Sequence, residues 1–366
     1  LLHDDPRTLA ETTTQAFMGM SVGCAKCHNH PSEKWTNDDY FALASLFSRV
    51  GAKNGSGDGE RILVAASTGE LVQPRTGRPQ KPRPLTGAAM EFDAPGDRRE
   101  ALATWLVSEE NPYFAQAVVN RIWANFLGVG LVEKVDDLRV SNPASNEALL
   151  AEAAAFLRAQ GFNLKSLMRE ILRSETYQRS SEPLDGNAAD TRFYARYYPR
   201  RLMAEVILDA YSQVTGVPTA FQRATGNGDT FQLAYPAGLR ALQIPDSQVA
   251  SYFLKSFGKP DRLQTCECER SAEPSVAQVL HIANGDTLNA KLASKDCRAL
   301  SASDAAAPAE AAVQEAYLAA LGRAPTGEEQ RRLVAVLTAA SGESRRAALE
   351  DLYWALLSSK EFLFNH

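Results

Sequence analysis

Leu167-Met168-Arg169-Glu170-Ile171-Leu172-Arg173-Ser174-Glu175-Thr176-Tyr177 reads as an amphipathic helix with a Ser-charged ending and then an aromatic residue. Leu352-Tyr353-Trp354-Ala355-Leu356-Leu357-Ser358-Ser359-Lys360-Glu361-Phe362 has the same form near the other end of the chain, and Trp105-Leu106-Val107-Ser108-Glu109 is a fainter third version. Ordinary helix ends closed by an aromatic plug explain the likeness better than true duplication. The stretch sets the reading of everything after Asp97. Helices are expected at about 98–107, 112–127, 146–160, 164–174, 200–214, 274–294, 308–321, 327–340 and 345–358, with Thr326 and Glu329 as a capping box. Residues 216–250 are rich in Gly, Pro and polar side chains and read as a long loop. The expected fold is mainly α: a helical multidomain protein with a short β-hairpin connector.

Working toward the N-terminus, residues 51–97 break the helical pattern with Gly and Pro. Ile62-Leu63-Val64-Ala65 and Glu70-Leu71-Val72-Gln73 flank Ser67-Thr68-Gly69, which predicts a small hairpin. Residues 1–50 read as a helical segment, 51–97 as the connector and 98–366 as the larger helical domain. Asp5 and Pro6 open a helix that Gly23 is expected to close, and Thr36 with Asp39 resembles a capping box for a second helix.

Between those two helices stands Cys24-Ala25-Lys26-Cys27-His28, the spacing of a c-type haem attachment site. Two thiols three positions apart suit two porphyrin vinyl groups, and the next residue, His28, suits the proximal position on iron. Two other readings stay open. His30 follows at once, so two thiolates and two imidazoles could hold zinc, although no second ligand pair follows at the usual distance. A plain thiol pair or disulfide with no cofactor is the third. His30, before Pro31, is more readily a turn residue bonding backbone than a ligand. For the opposite face of the iron, Met90 is the only Met or His between His30 and Met168. Met90 is the weaker option, and the site is expected not to be Met-ligated.

The chain has 366 residues, which suits two or three domains, and its 45% hydrophobic content is enough for ordinary cores. No apolar run approaches the roughly 20 residues of a membrane span. A net charge of −5 gives no reason to expect nucleic acid or an anionic membrane as partner. The start, Leu1-Leu2-His3, reads as the beginning of a piece of a longer protein. Covalent haem would place the chain outside the cytoplasm, in a periplasm or an equivalent compartment.

Other polar groups read as structural. Asn120, Arg121, Asp136, Asp137, Arg139, Ser141 and Asn142 are best taken as a hydrogen-bonded network fixing a loop, with acid–base work as the alternative. Arg200, Arg201, Glu205 and Asp209 read as a solvated helix face. Cys266 and Cys268 are too close in sequence for an easy mutual disulfide; free structural thiols, a disulfide from either to Cys297 and metal binding are the readings left open. His281 reads as a core or helix-flank histidine.

Gly23-Cys24-Ala25-Lys26-Cys27-His28-Asn29-His30-Pro31, with Trp35 and Tyr40, resembles the end of a planctomycete cytochrome C domain. Asn111-Pro112-Tyr113-Phe114, Val119-Asn120-Arg121-Ile122-Trp123, Val135-Asp136-Asp137-Leu138-Arg139-Val140-Ser141-Asn142-Pro143, Phe257-Gly258-Lys259-Pro260-Asp261-Arg262 and Cys266-Glu267-Cys268-Glu269-Arg270-Ser271 resemble the planctomycete-specific C-terminal domain of unknown function that follows it. The resemblance implies a secreted or periplasmic bacterial protein, with an upstream cytochrome module or a redox protein as partner. The expected function is redox or electron transfer through covalent haem, with the helical domain serving binding or assembly. The alternative is an extracytoplasmic enzyme or ligand-binding protein acting on a polymeric substrate, in which the Cys24–His28 segment is structural or binds zinc.

Overall fold

A computed structural model of the chain describes residues 5–56, 60–223, 234–245, 249–262, 269–270, 273–298 and 308–365. The described residues up to Tyr198 form one compact unit and those from Pro199 onward another. The architecture is mainly α; the strands among the described residues form two-stranded antiparallel sheets.

In the first unit, α1 (Pro6–Met18) is opened by Asp5, whose side chain accepts from the Arg7 N–H, and by Pro6 in the first turn. It stops at Gly19, four residues short of the expectation that Gly23 would close it. Gly19 takes φ +60°, and a Cβ there would fall 2.6 Å from Leu138 Cδ1. A left-handed residue in so tight a contact has to be glycine. Residues Gly23–Lys26 then form a single 3₁₀ turn. α2 (Asn37–Ala44) carries the expected reciprocal capping box of Thr36 and Asp39.

The hairpin register differs from expectation. β1 (Val50–Asn54) pairs with β2 (Arg61–Ala65), and β3 (Val72–Gln73) pairs with β4 (Arg78–Pro79), so residues 62–65 pair backward rather than with 70–73. The Gly-rich run after Asn54 closes the first hairpin, with the Gly55 N–H donating to the Glu60 carbonyl at 2.8 Å. Gly69, expected to make the turn, is instead held from the side by Ser48 Oγ at 2.9 Å.

α3 (Arg98–Leu106), α4 (Pro112–Leu127), α5 (Glu147–Ala159) and α6 (Leu164–Arg173) follow within a residue or two of expectation, each opened by an Asp or Asn side chain. The unit has two apolar cores. One packs Met18, Tyr40, Leu43 and Phe47 against Leu102 and Trp105. The other joins Val119, Trp123, Leu157, Leu167, Ile171 and Tyr197.

The second unit begins with β5 (Arg200–Arg201), and α7 (Ala204–Thr215) starts only after it. α8 (Tyr252–Ser256) was not anticipated, because five residues carry too little periodicity to read. The helix expected at 274–294 is two: α9 (Val276–Asn284) and α10 (Asp286–Leu292). Gly285 between them is extended, and a Cβ there would lie 2.4 Å from the His281 carbonyl oxygen. α11 (Ala309–Leu321), α12 (Gly327–Ala339) and α13 (Gly342–Leu357) follow expectation, Thr326 and Glu329 forming the capping box. After the short α14 (Lys360–Leu363), β6 (Phe364–Asn365) returns to pair with β5. Ile207, Leu208, Tyr211, Val313, Tyr353 and Leu357 centre this unit's core. Among the described residues no helix is long and apolar enough to cross a membrane.

Candidate functional site at the Cys24–His28 turn

Cys24 lies within the 3₁₀ turn and Cys27 is the residue that ends it. Side chains three apart on a 3₁₀ turn eclipse one another, so both thiols are offered to the same side. Both are exposed and free. The turn is held from beneath by Asn37, the first residue of α2, which is 1% exposed. Asn37 Nδ2 donates to the carbonyls of Ala25 at 2.8 Å and Lys26 at 2.9 Å. Asn37 Oδ1 accepts from Gln73 Nε2 at 3.1 Å, and the Asn37 N–H donates to Asn29 Oδ1 at 3.0 Å. Glu11 of α1 adds a second tie: it accepts from the Tyr40 hydroxyl at 2.6 Å and pairs with Lys26 at 3.6 Å. The Ala25 and Lys26 carbonyls of the pentad are thus satisfied, while Cys24, Cys27 and His28 stay exposed.

His28 is exposed, and its Nδ1 lies 2.6 Å from the Asn29 carbonyl oxygen. A carbonyl only accepts, so Nδ1 carries the proton and donates. That tautomer leaves Nε2 with a free lone pair, the arrangement a metal-ligating histidine requires. His30 takes the turn role expected of it. It is buried at 9% exposure, its N–H donates to the Trp35 carbonyl at 2.8 Å, and its Nδ1 accepts from the Ser32 N–H at 3.2 Å. Met90 is half-buried and packs against the core around Tyr40 and Trp105. Among the described residues no three His, Cys, Asp or Glu side chains converge as a metal site.

The second family-like segment comes up beside this turn. Leu138 N–H donates to the Gly19 carbonyl at 2.8 Å, and Val140 N–H donates to Glu33 Oε1 at 3.0 Å. Arg139 bonds Asp137, which chiefly raises its pKa. A cleft of about 820 Å³ opens here, bordered by Pro31, Lys34, Tyr113, Arg139, Val140 and Leu150. Lys34 sits 4.9 Å from the Trp35 ring centroid and 5.8 Å from that of Tyr113.

The polar set from Asn120 to Asn142 does the structural work expected of it. Asn120 donates to the Val132 carbonyl at 3.0 Å and accepts from the Val132 N–H at 2.9 Å. Arg121 bonds Asp136 and the carbonyls of Gln15 and Ala16 at the end of α1. Asn142 Nδ2 donates to the Asp137 carbonyl at 3.0 Å. The solvated face expected for Arg200, Arg201, Glu205 and Asp209 is not what forms. Glu205 is buried and paired with Arg270, and Asp209 caps residues 241–243 by accepting from the Ala241 N–H at 2.6 Å. His281 is the helix-flank residue expected: its Nε2 lies 2.8 Å from Thr287 Oγ1, and burial lowers its pKa. Cys297 is buried in the second unit's core, while Cys266 and Cys268 lie outside the described residues.

The residues that sequence reasoning missed are Asn37, Glu11 and Gln73. Asn37 follows the N-cap and reads as helix; nothing in its spacing says that its side chain turns back onto the pentad.

Two family models match the chain. Residues 98–337 match PSD1, described as a protein of unknown function (DUF1553), and residues 2–52 match PSCyt2, described as a protein of unknown function (DUF1549). The first match covers more than half of the chain, so the chain belongs to the DUF1553 family. Neither description assigns a haem or an activity. No curated protein and no solved structure matches the chain.

Proposed function

We propose that the chain is an extracytoplasmic, c-type-cytochrome-like redox protein, with haem held by Cys24 and Cys27 and His28 Nε2 as proximal ligand. The observation that carries this reading is the His28 Nδ1 contact with the Asn29 carbonyl oxygen beside two exposed free thiols. Cys24 and Cys27 would hold the haem as thioethers, a linkage that needs no external oxidant, and the haem would supply the redox centre. Asn37 keeps the turn fixed, so the two sulfurs and the imidazole hold one mutual geometry. The Asn29 carbonyl keeps the proton on Nδ1 and orients the ring. Haem bound here supplies one-electron chemistry. His30 is engaged by backbone and Met90 packs in the core, so neither would serve readily as a second ligand to the haem. The helical remainder serves binding or assembly, and the electron partner is a redox protein or a cytochrome module.

Expression in a periplasm with haem-maturation factors, followed by a reduced pyridine spectrum, tests this. A c-type α band is expected, lost in Cys24→Ala/Cys27→Ala, with the ferric spectrum unchanged in Met90→Ala. Folded protein without the band refutes the reading, and metal analysis of the same sample then decides for or against zinc.

A further inference from the structure

Lys291, on α10, is a buried amine whose contacts are all with neutral groups; it is 6% exposed. Its Nζ donates to Ser212 Oγ at 3.1 Å and to the Val217 carbonyl at 2.7 Å. Asp209, one turn before Ser212 on α7, is committed elsewhere. Its carboxylate accepts from the Ala241 N–H at 2.6 Å and from the Leu242 N–H at 3.2 Å. An ammonium brings three donors and a full charge, whereas a neutral amine brings two donors and a lone pair. Two neutral acceptors among the described residues match the amine. Burial accordingly draws Lys291 down to about 8, against the opposing charge of Asp209.

The hydroxyl that this amine touches faces open space. Ser212 is half-buried and lines a pocket of about 430 Å³, bordered also by Gln213, Thr219, Leu239 and Arg240. Lys291 is not part of that lining, so the serine is reached from the pocket while the amine is kept from water. Ser212 Oγ also lies 3.0 Å from the Leu208 carbonyl oxygen and 3.0 Å from Thr219 Oγ1. A hydroxyl has one proton to give. On the Leu208 carbonyl it is at rest. Turned toward Nζ of the neutral amine, it leaves Ser212 a nucleophile with its base in place. The Thr219 hydroxyl can then donate to Ser212 Oγ and hold it. A serine paired with a lysine is one of the variants that serine–base catalysis takes on unrelated folds.

We propose that Ser212 and Lys291 form a nucleophile–base pair that cleaves small carboxylic esters entering this pocket. Ser212 Oγ bonds to the ester carbonyl carbon while its proton passes to Lys291 Nζ, and the carbonyl π electrons move onto oxygen. They return as the bond to the alcohol oxygen breaks, and the departing alkoxide takes the proton back from Lys291. Water then hydrolyses the acyl-serine through the same two steps, with Lys291 again carrying the proton. An alkoxide leaves more readily than an amide nitrogen, so esters are the class such a pair turns over. The size of the pocket suits a small substrate. The site lies in the unit without the pentad and does not depend on the haem reading.

The test treats the full chain with a fluorophosphonate probe and, separately, with p-nitrophenyl acetate. One phosphonate adduct per chain is expected, assigned to Ser212 by peptide mass mapping, together with release of p-nitrophenolate above the buffer rate. Ser212→Ala should lose both. Lys291→Met should slow labelling by about a hundredfold or more, the range for a missing general base. Its circular dichroism melt shows whether it is folded. If it is not, the wild-type pH profile decides. Labelling should rise as Lys291 loses its proton and level off above about 8. The proposal is overturned by the absence of a Ser212 adduct or by ester cleavage that survives in Ser212→Ala. Wild-type labelling in folded Lys291→Met, or a pH profile that is flat across this range, overturns it equally.

Discussion

Asn37 shows how much a single side chain settles at the candidate site. Its amide is out of water and has four polar neighbours: it donates to two carbonyls of the pentad turn, accepts from Gln73, and its backbone N–H reaches Asn29. Removing the amide strands the Ala25 and Lys26 carbonyls against a buried wall. Asn37→Ala should therefore cost about 1–3 kcal/mol, the range for leaving a buried partner unmet. Denaturant titration measures it, and haem loading under identical maturation conditions should fall with it. A variant with wild-type stability and full loading would show that Glu11 and Tyr40 suffice to hold the turn.

At the scale of elements, the informative joint is the end of α1. Its last carbonyls have no partner within the helix. Arg121, on α4, reaches across to those of Gln15 and Ala16 and is itself held by Asp136, while Leu138 N–H meets the Gly19 carbonyl. A cation at a helix C-terminus is also favoured by the helix dipole. Arg121→Met should lower stability by about 2–3 kcal/mol in urea unfolding. Arg121→Lys should recover less than half of that, because one ammonium lacks the planar fork that serves three acceptors at once. Equal stability of the Lys and Arg forms would mean that charge alone matters here. The hairpin teaches the complementary lesson. The turn was expected at Ser67-Thr68-Gly69, but the strands close across Gly55 and Glu60, while Ser48 Oγ bonds the Gly69 carbonyl 21 positions away along the chain.

At the scale of the molecule, the compact units do not follow the family boundaries. The DUF1553 match begins at residue 98, yet Leu102 and Trp105 complete the core built by Met18, Tyr40 and Phe47. Residues 98–198 therefore fold with the N-terminal segment. A chain starting at Asp97 should lose tertiary order in residues 98–198, seen as lost amide dispersion there in heteronuclear NMR, while residues from 199 onward keep theirs. Native dispersion throughout would show that the second core of the first unit, around Trp123 and Leu157, stands alone.

The sequence by itself determined the helices and their caps, because hydrophobic period and capping chemistry act within a few residues: Asp5 with Pro6, Thr36 with Asp39, and Thr326 with Glu329 all form as read. It also shows the Cys24–His28 spacing, because that pattern lies in five consecutive residues. What the tertiary structure decided are the relations that depend on distant partners. Gly19 rather than Gly23 ends α1 because Leu138 closes over it. Glu205 leaves solvent because Arg270, 65 positions later, supplies a countercharge. The nitrogen that His28 offers follows from a neighbouring carbonyl whose direction is fixed only once Asn37 clamps the turn. Local propensity is written in adjacent residues, whereas burial and pairing are properties of which residues meet.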